Sequence, residues 1–372
     1  MNQFANRSVV FGVASAMLAL AAQADHAHAQ NSADERSNLI ADSPVLNVSS
    51  TDQTRETPSP LVIAHRGASG YLPEHTLAST AFAHAVGSDY IEQDVVLSAD
   101  GQAVVLHDVT LNSTTDVAEV FPDRHRDGRY FVFDFTLEEL RRLNVHERFP
   151  SPRPRFPQQT GRFQIATLRE QIELIQGLNH TRGTNVGLYV EIKRPALHRK
   201  EGLDPSPVVL QILRDYGYRT RDDRAYVQCF EADEILRLRT ELKCQLSLIQ
   251  LLSERPTDEQ LAQIAKVADG IGVSLSTVIE AGDAEQPRAT NLVREAHQHA
   301  LQVHAWTVQA DDLPMYAAST NDLLNLLVVD AGVDGIFADH PDLAIRWRQQ
   351  NGRSKPAQGP FHLLQNRQQR EP

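Results

Sequence analysis

LVIAHRGASGYLPEHTLASTAF (residues 61–82) and DYIEQDVVLSADGQAVVLHD (residues 89–108) each carry an apolar, strand-like run that ends on charged side chains. Leu61 to Ala64 reads as a short strand that delivers His65-Arg66-Gly67 into a turn punctuated by glycine and proline. In the second stretch Glu92 and Asp94 are two positions apart inside a strand pattern, so both carboxylates leave the same face. Asp100-Gly101 is a strong hairpin signal, and Ala103 to Leu106 return apolar. Counting outward from that turn sets position 94 nearly opposite 106, which brings His107 back beside Asp94.

The pattern of the first strand recurs along the chain. Apolar runs ending in polar residues span Leu61 to His65, Tyr90 to Asp94, Leu188 to Lys193, Ala225 to Phe230, Gln245 to Leu251, Gly270 to Ser274, Gln302 to Val308 and Asp334 to Asp339. Helical patterns separate most of them. Three begin with capping boxes, Thr136 with Glu139, Thr167 with Glu170 and Thr257 with Gln260, and Ser206-Pro207 is expected to open another. Strand and helix alternating eight times predict an α/β fold, a (β/α)8 TIM barrel. Ala103 to His107 follows the second strand too closely for a parallel crossover, so it is expected as the return arm of a β-hairpin on the rim. Residues 110–164, with Phe121, Tyr130, Phe131, Phe133 and Phe135, are expected to form an inserted lobe near the mouth. A two-domain doubly wound sheet is the competing architecture, but no glycine-rich dinucleotide fingerprint supports it.

In a barrel of this kind the chemistry sits at the carboxyl ends of the strands. His65, Arg66, Glu92, Asp94, Glu191, Lys193, Gln228 and Trp306 all fall at or near such ends. Glu92, Asp94 and Glu191, with no paired cysteine ligand, describe a hard oxygen site for Ca²⁺ or Mg²⁺. His65 and His107 supply imidazoles able to take or give a proton near neutral pH, though the sequence does not say which acts as base. Arg66 and Lys193 offer fixed positive charge for an anionic substrate. Trp306 and Phe230 fall where an aromatic can either stack on substrate carbons or belong to the core. No Ser-His-Asp signature calls for a covalent route.

His65-Arg66-Gly67, Glu74-His75-Thr76, Glu92-Gln93-Asp94 and His107-Asp108, in this order and spacing, resemble the glycerophosphodiester phosphodiesterases, specifically the periplasmic bacterial type. The similarity runs from about Leu61 to about Trp347 and includes Asp127-Gly128-Arg129, Asp134-Phe135-Thr136-Leu137, Glu191-Ile192-Lys193, Gln228-Cys229-Phe230 and Trp306-Thr307-Val308. The resemblance implies hydrolysis of small-molecule glycerophosphodiesters, the deacylated phospholipids, to sn-glycerol 3-phosphate and an alcohol. It favours Ca²⁺ over Mg²⁺ and implies that the substrate's own glycerol hydroxyl is the first nucleophile, giving a cyclic phosphate that water then opens. By the same likeness Glu74 is expected to contact glycerol or a water at the cation, and His75 to be structural. The connection between Leu252 and Thr257 is very brief where those enzymes carry a long aromatic-rich insertion, which leaves head-group preference open. Two other functions stand beside the first: a phosphodiesterase for a bulkier lysophospholipid, inositol or teichoic-acid-like substrate, and a non-catalytic barrel acting as a binding protein.

The totals set outer bounds. With 372 residues, 41% hydrophobic and 23% charged, the chain has the composition of an ordinary globular protein. Its formal charge of −12 argues against nucleic-acid or anionic-membrane partners. Residues 1–29 read as a signal peptide, with Arg7 before an apolar stretch from Val9 to Ala22 and cleavage expected near Ala29/Gln30. That stretch falls short of the ~20 residues needed to span a bilayer, so no stable membrane anchor is expected and the destination is periplasmic or secreted. Residues 30–60 read as a flexible leader, 61–348 as the barrel domain and 349–372 as a flexible tail. Cys229 and Cys244 fall near the top of one predicted strand and the bottom of the next, roughly 16 Å apart and beyond disulfide reach, so both thiols are expected free and buried. The oligomeric state is not legible.

Overall fold

The computed structural model describes residues 59–148, 156, 161–282 and 287–351. The expected signal peptide, nearly all of the leader and residues 352–372 of the expected tail lie outside them. Eleven strands occur among the described residues: β1 (Leu61–Ala64), β2 (Tyr90–Leu97), β3 (Ala103–Val105), β4 (Gly187–Ile192), β5 (Ala225–Cys229), β6 (Ser247–Leu252), β7 (Gly270–Ser274), β8 (Ile279–Glu280), β9 (Arg288–Ala289), β10 (Gln302–Val308) and β11 (Gly335–Ala338). Eight of them, β1, β2, β4, β5, β6, β7, β10 and β11, pair in parallel, and β1 pairs with both β11 and β2 to close the ring. Helices intervene along the chain, so the fold is a (β/α)8 barrel. β8 and β9 form a small separate ribbon.

Side chains alternate along each strand. Outward residues such as Val62, Ile91, Val190, Val227, Ile271 and Ile336 belong to two apolar clusters shared with the surrounding helices. Inward residues Ile63, Tyr90, Tyr189, Tyr226, Ile249 and Phe337 pack into a plug, where Tyr189 and Tyr226 stack with ring centroids 4.9 Å apart. His304 completes the plug, its Nδ1 2.7 Å from the Tyr189 hydroxyl. Two residues further along the same strands lie Glu92, Glu191 and Gln228. The strand period therefore sets an aromatic floor directly beneath a polar layer.

β3 runs antiparallel to β2 with Val95 opposite Val105, and the Leu106 N–H donates to the Asp94 carbonyl at 2.8 Å. Position 94 thus faces 106, as the turn count predicts. β2 continues past Asp94 to Leu97, where pairing with the return arm of the hairpin holds it. Beyond β3 the lobe buries Leu111, Phe121, Tyr130, Phe133 and Phe135 against Val96 and Val104.

All three capping boxes form. The fourth expected helix start is displaced: the helix spans Pro205–Asp215, with Pro205 in its first turn, while the buried Ser206 hydroxyl donates to Glu234 Oε1 at 2.5 Å instead of capping. The last helix, Pro341–Asn351, runs three residues past the expected domain end at 348, and Arg348 within it donates to the Pro60 carbonyl at 3.0 Å. Both cysteines are buried and free. No described helix is long and apolar enough to cross a membrane.

Candidate active site

His65 and Arg66 leave β1 where the chain turns sharply. Arg66 has φ 55° and Gly67 φ 81°, and a Cβ on Gly67 would come within 2.5 Å of the Ser79 hydroxyl, so glycine is required there. The turn aims the Arg66 backbone N–H at Glu92 Oε2 (3.0 Å), while Gln228 Nε2 donates to Glu92 Oε1 (2.9 Å).

Glu92 and Asp94 on β2 and Glu191 on β4 meet because Asp94 pairs in register with Glu191. All three are buried, and a set of their oxygens, one from each residue, lies within 4.8 Å of one another. Burial and the neighbouring acids push Glu92 well above the usual carboxylate range. Burial likewise raises Glu191 to about 8, against the pull of Lys193. Asp94 is held well below its usual value because Lys193 and His75 overcome its burial. Lys193 Nζ sits 2.9 Å from Glu191 and 3.9 Å from Asp94, and Asp94 Oδ1 has no hydrogen-bond partner. Three buried acids with an orphaned oxygen and too few cations among them fit a divalent metal.

Two imidazoles border the same cavity, each backed by an aspartate. His65 Nδ1 lies 2.6 Å from Asp339 Oδ1, and its Nε2 is 3.8 Å from Glu92. Asp339 also accepts from Ser69 Oγ (3.1 Å) and Gln309 Nε2 (2.7 Å). His107 Nδ1 lies 2.6 Å from Asp108 Oδ1. Burial and the adjacent Arg66 lower both rings, His107 to about 4. The cavity, about 260 Å³, is bordered by both histidines, Arg66, Glu92, Asp94, Glu191, Lys193, Gln228 and the apolar Phe230, Leu251, Trp306 and Phe337.

Glu74 is not on that wall. Its carboxylate accepts from Arg66 Nη1 (3.1 Å) and in two places from Arg148, which hold it well below the usual range despite burial. His75 sits behind the acids, Nε2 2.7 Å from Asp94 Oδ2. Trp306 reaches the cavity with its indole N–H buried and unpartnered. Asp339, Gln309 and Arg148 join the site in three dimensions without a motif of their own. Asp339 closes the last apolar run, two places after Phe337, and the strand period could have found it. Arg148 lies in the lobe and carries no sequence signal.

The model of the "Glycerophosphoryl diester phosphodiesterase family" matches residues 65–343. A Haemophilus influenzae glycerophosphodiester phosphodiesterase is 38% identical over 77% of this chain and 89% of its own length. A Treponema pallidum protein of the same name is 35% identical, over 77% and 91%. In fold, the chain is similar to an Oleispira antarctica phosphodiesterase solved in complex with the product sn-glycerol-3-phosphate, with a TM-score of 0.58, 23% identity and coverage of 78% and 97%. A solved Silicibacter pomeroyi structure gives a TM-score of 0.62 and 26% identity, with coverage of 79% and 95%.

Proposed function

The chain belongs to the glycerophosphoryl diester phosphodiesterase family and is an enzyme of that class, and from this premise we propose that it is a metal-dependent hydrolase releasing sn-glycerol 3-phosphate and an alcohol from deacylated phospholipids. The observation carrying this reading is the convergence of two aspartate-backed imidazoles and three buried acids on one cavity.

Glu92, Asp94 and Glu191 would hold a divalent cation, Ca²⁺ by preference, which would supply positive charge for the phosphate's non-bridging oxygens. Arg66 and Lys193 add fixed positive charge where negative charge grows in the transition state. One imidazole takes the proton of the attacking glycerol hydroxyl, and the other delivers a proton to the departing alkoxide. Attack breaks the bond from phosphorus to the leaving oxygen and leaves a cyclic phosphate. With the proton roles exchanged, the same pair lets water open the ring. Asp339 and Asp108 fix the rings with Nδ1 occupied, leaving Nε2 for the substrate. The Trp306 indole borders the same cavity, its N–H buried and unpartnered, and would donate to a substrate oxygen if binding uncovers it.

A second reading concerns the size of the alcohol. An adjoining cavity of about 580 Å³ shares His107, Glu191, Lys193 and Phe230 with the first and favours acceptance of bulkier lysophospholipid or inositol esters. The segment 1–29 supports a periplasmic or secreted destination, and sequencing the amino terminus of the mature protein tests it.

Incubating the chain with glycerophosphocholine or glycerophosphoinositol under Ca²⁺, Mg²⁺ or EDTA and measuring glycerol 3-phosphate tests the main proposal, while a lysophospholipid, whose cleavage yields an acylated glycerol 3-phosphate, is followed by release of its alcohol. Release with Ca²⁺ that EDTA abolishes is expected. Release undiminished by EDTA would overturn the metal's part, and no release from any substrate would overturn the proposal itself.

A further inference from the structure

Asp339 and Asp108 back equivalent rings but are not equally anchored. Asp339 is gripped by Ser69 and Gln309 as well as by His65. Asp108 lies past the end of the three-residue β3, and apart from His107 its hydrogen-bond donor is Arg148. Arg148 belongs to the inserted lobe, 40 residues further along, and its Nη1 reaches Asp108 Oδ2 at 2.6 Å. The opposite edge of the same guanidinium grips Glu74, Nε to Oε2 at 3.1 Å and Nη2 to Oε1 at 2.6 Å. Glu74 in turn holds Arg66 Nη1 at 3.1 Å.

An unbroken path, Arg66–Glu74–Arg148–Asp108–His107, therefore joins the phosphate arginine to one catalytic imidazole. The planar fork of an arginine can take one carboxylate on two nitrogens and offer the third to another, which a lysine ammonium does not reproduce. The pair is largely shielded, with the Glu74 side chain 10% and the Arg148 side chain 32% exposed, so it is screened less than a fully exposed ion pair.

We propose that Arg148 is a positioning residue: the inserted lobe uses it to fix the His107 ring through Asp108 and the Arg66 guanidinium through Glu74. This rests on the phosphodiesterase reading above. Without Arg148, among the described residues Asp108 keeps only the ring it is meant to orient, and Glu74 keeps only Arg66. Both catalytic groups then gain freedom at the rim, where misplacement by an ångström is expensive in rate.

The test is steady-state hydrolysis of glycerophosphocholine by the full chain with Ca²⁺, comparing wild type, Arg148→Ala and Arg148→Lys. Arg148→Ala should lose roughly 30-fold in kcat with KM within about threefold, and Arg148→Lys should remain at least about fivefold below wild type. Millimolar methylguanidine, which refills the vacated fork, should recover part of the kcat of Arg148→Ala and leave wild type unchanged. A kcat within about twofold of wild type for Arg148→Ala, or a loss that methylguanidine does not restore, overturns the assignment. Should Arg148→Ala lose its thermal transition, Arg148→Lys carries the test, and wild-type rates in it are the contrary result. An inactive wild type would overturn the activity reading and the clamp together, whereas an active wild type with an indifferent Arg148→Ala removes the clamp alone.

Discussion

His65 Nδ1 and Asp339 Oδ1 lie 2.6 Å apart although 274 residues separate them in the chain, joined across the seam where β11 closes on β1. The aspartate selects which ring nitrogen faces the cavity and stabilises the imidazolium form. An asparagine there could present its N–H₂ to Nδ1 and favour the wrong tautomer. Asp339→Asn should therefore lower kcat by at least about 100-fold, and His65→Ala by a similar factor, with the folded state retained. Near-normal turnover in folded Asp339→Asn would dismiss this role.

If Glu92, Asp94 and Glu191 hold the proposed cation, stability should depend on it. A ligand that binds only the folded state at a hundred times its Kd adds about 2.7 kcal/mol. Chelator-treated protein should melt several degrees lower than protein in excess Ca²⁺, and Glu191→Gln should shrink that difference. Melting curves that overlay with and without Ca²⁺ or Mg²⁺ would show that the trio holds no metal.

His304 gives the fold a pH dependence of its own. It is fully buried, and burial lowers its imidazole to about 4 from an ordinary 6.5. Between those values the unfolded chain binds a proton that the folded chain refuses, so stability falls as pH drops from about 6.5 to about 4 and is fully present above that window. Replacing His304 by asparagine should reduce the slope of stability against pH there by up to about 1.4 kcal/mol per unit. Parallel urea-denaturation series for the two proteins would contradict this.

Under the proposed mechanism Trp306 would bind substrate and take no part in the chemistry. Phenylalanine keeps most of the apolar wall but removes the unpartnered N–H, and a single neutral hydrogen bond contributes about 0.5–1.5 kcal/mol. Trp306→Phe should raise KM by roughly threefold to tenfold while kcat stays within about twofold. An unchanged KM would mean that the indole touches no substrate oxygen.

Local pattern carried far into this molecule. β7 and β10 occupy the residues their apolar runs define, and the hairpin count alone sets Leu106 opposite Asp94, where the backbone bond is found. Glu92 and Asp94 share a face because a strand repeats every two residues. Other features depend on how loops fold over the mouth. Glu74 turns to Arg66 and Arg148 instead of the cavity because those two guanidinium groups occupy its oxygens. Ser206 resembles a cap in sequence, yet the buried Glu234 takes its hydroxyl. Arg148 emerges only once the lobe has packed, since nothing in its neighbours' order points toward Asp108.

The ring of tyrosines and phenylalanine under the carboxylates makes the barrel a building of two storeys sharing the same walls. Tyr189 and Glu191 are alternate rungs of one strand, as are Tyr226 and Gln228. The lower storey keeps the architecture upright, and the upper one can be refurnished for a different tenant without touching the foundations. Selection for heat tolerance and selection for a new head group would then leave their marks at different heights along the same eight staves.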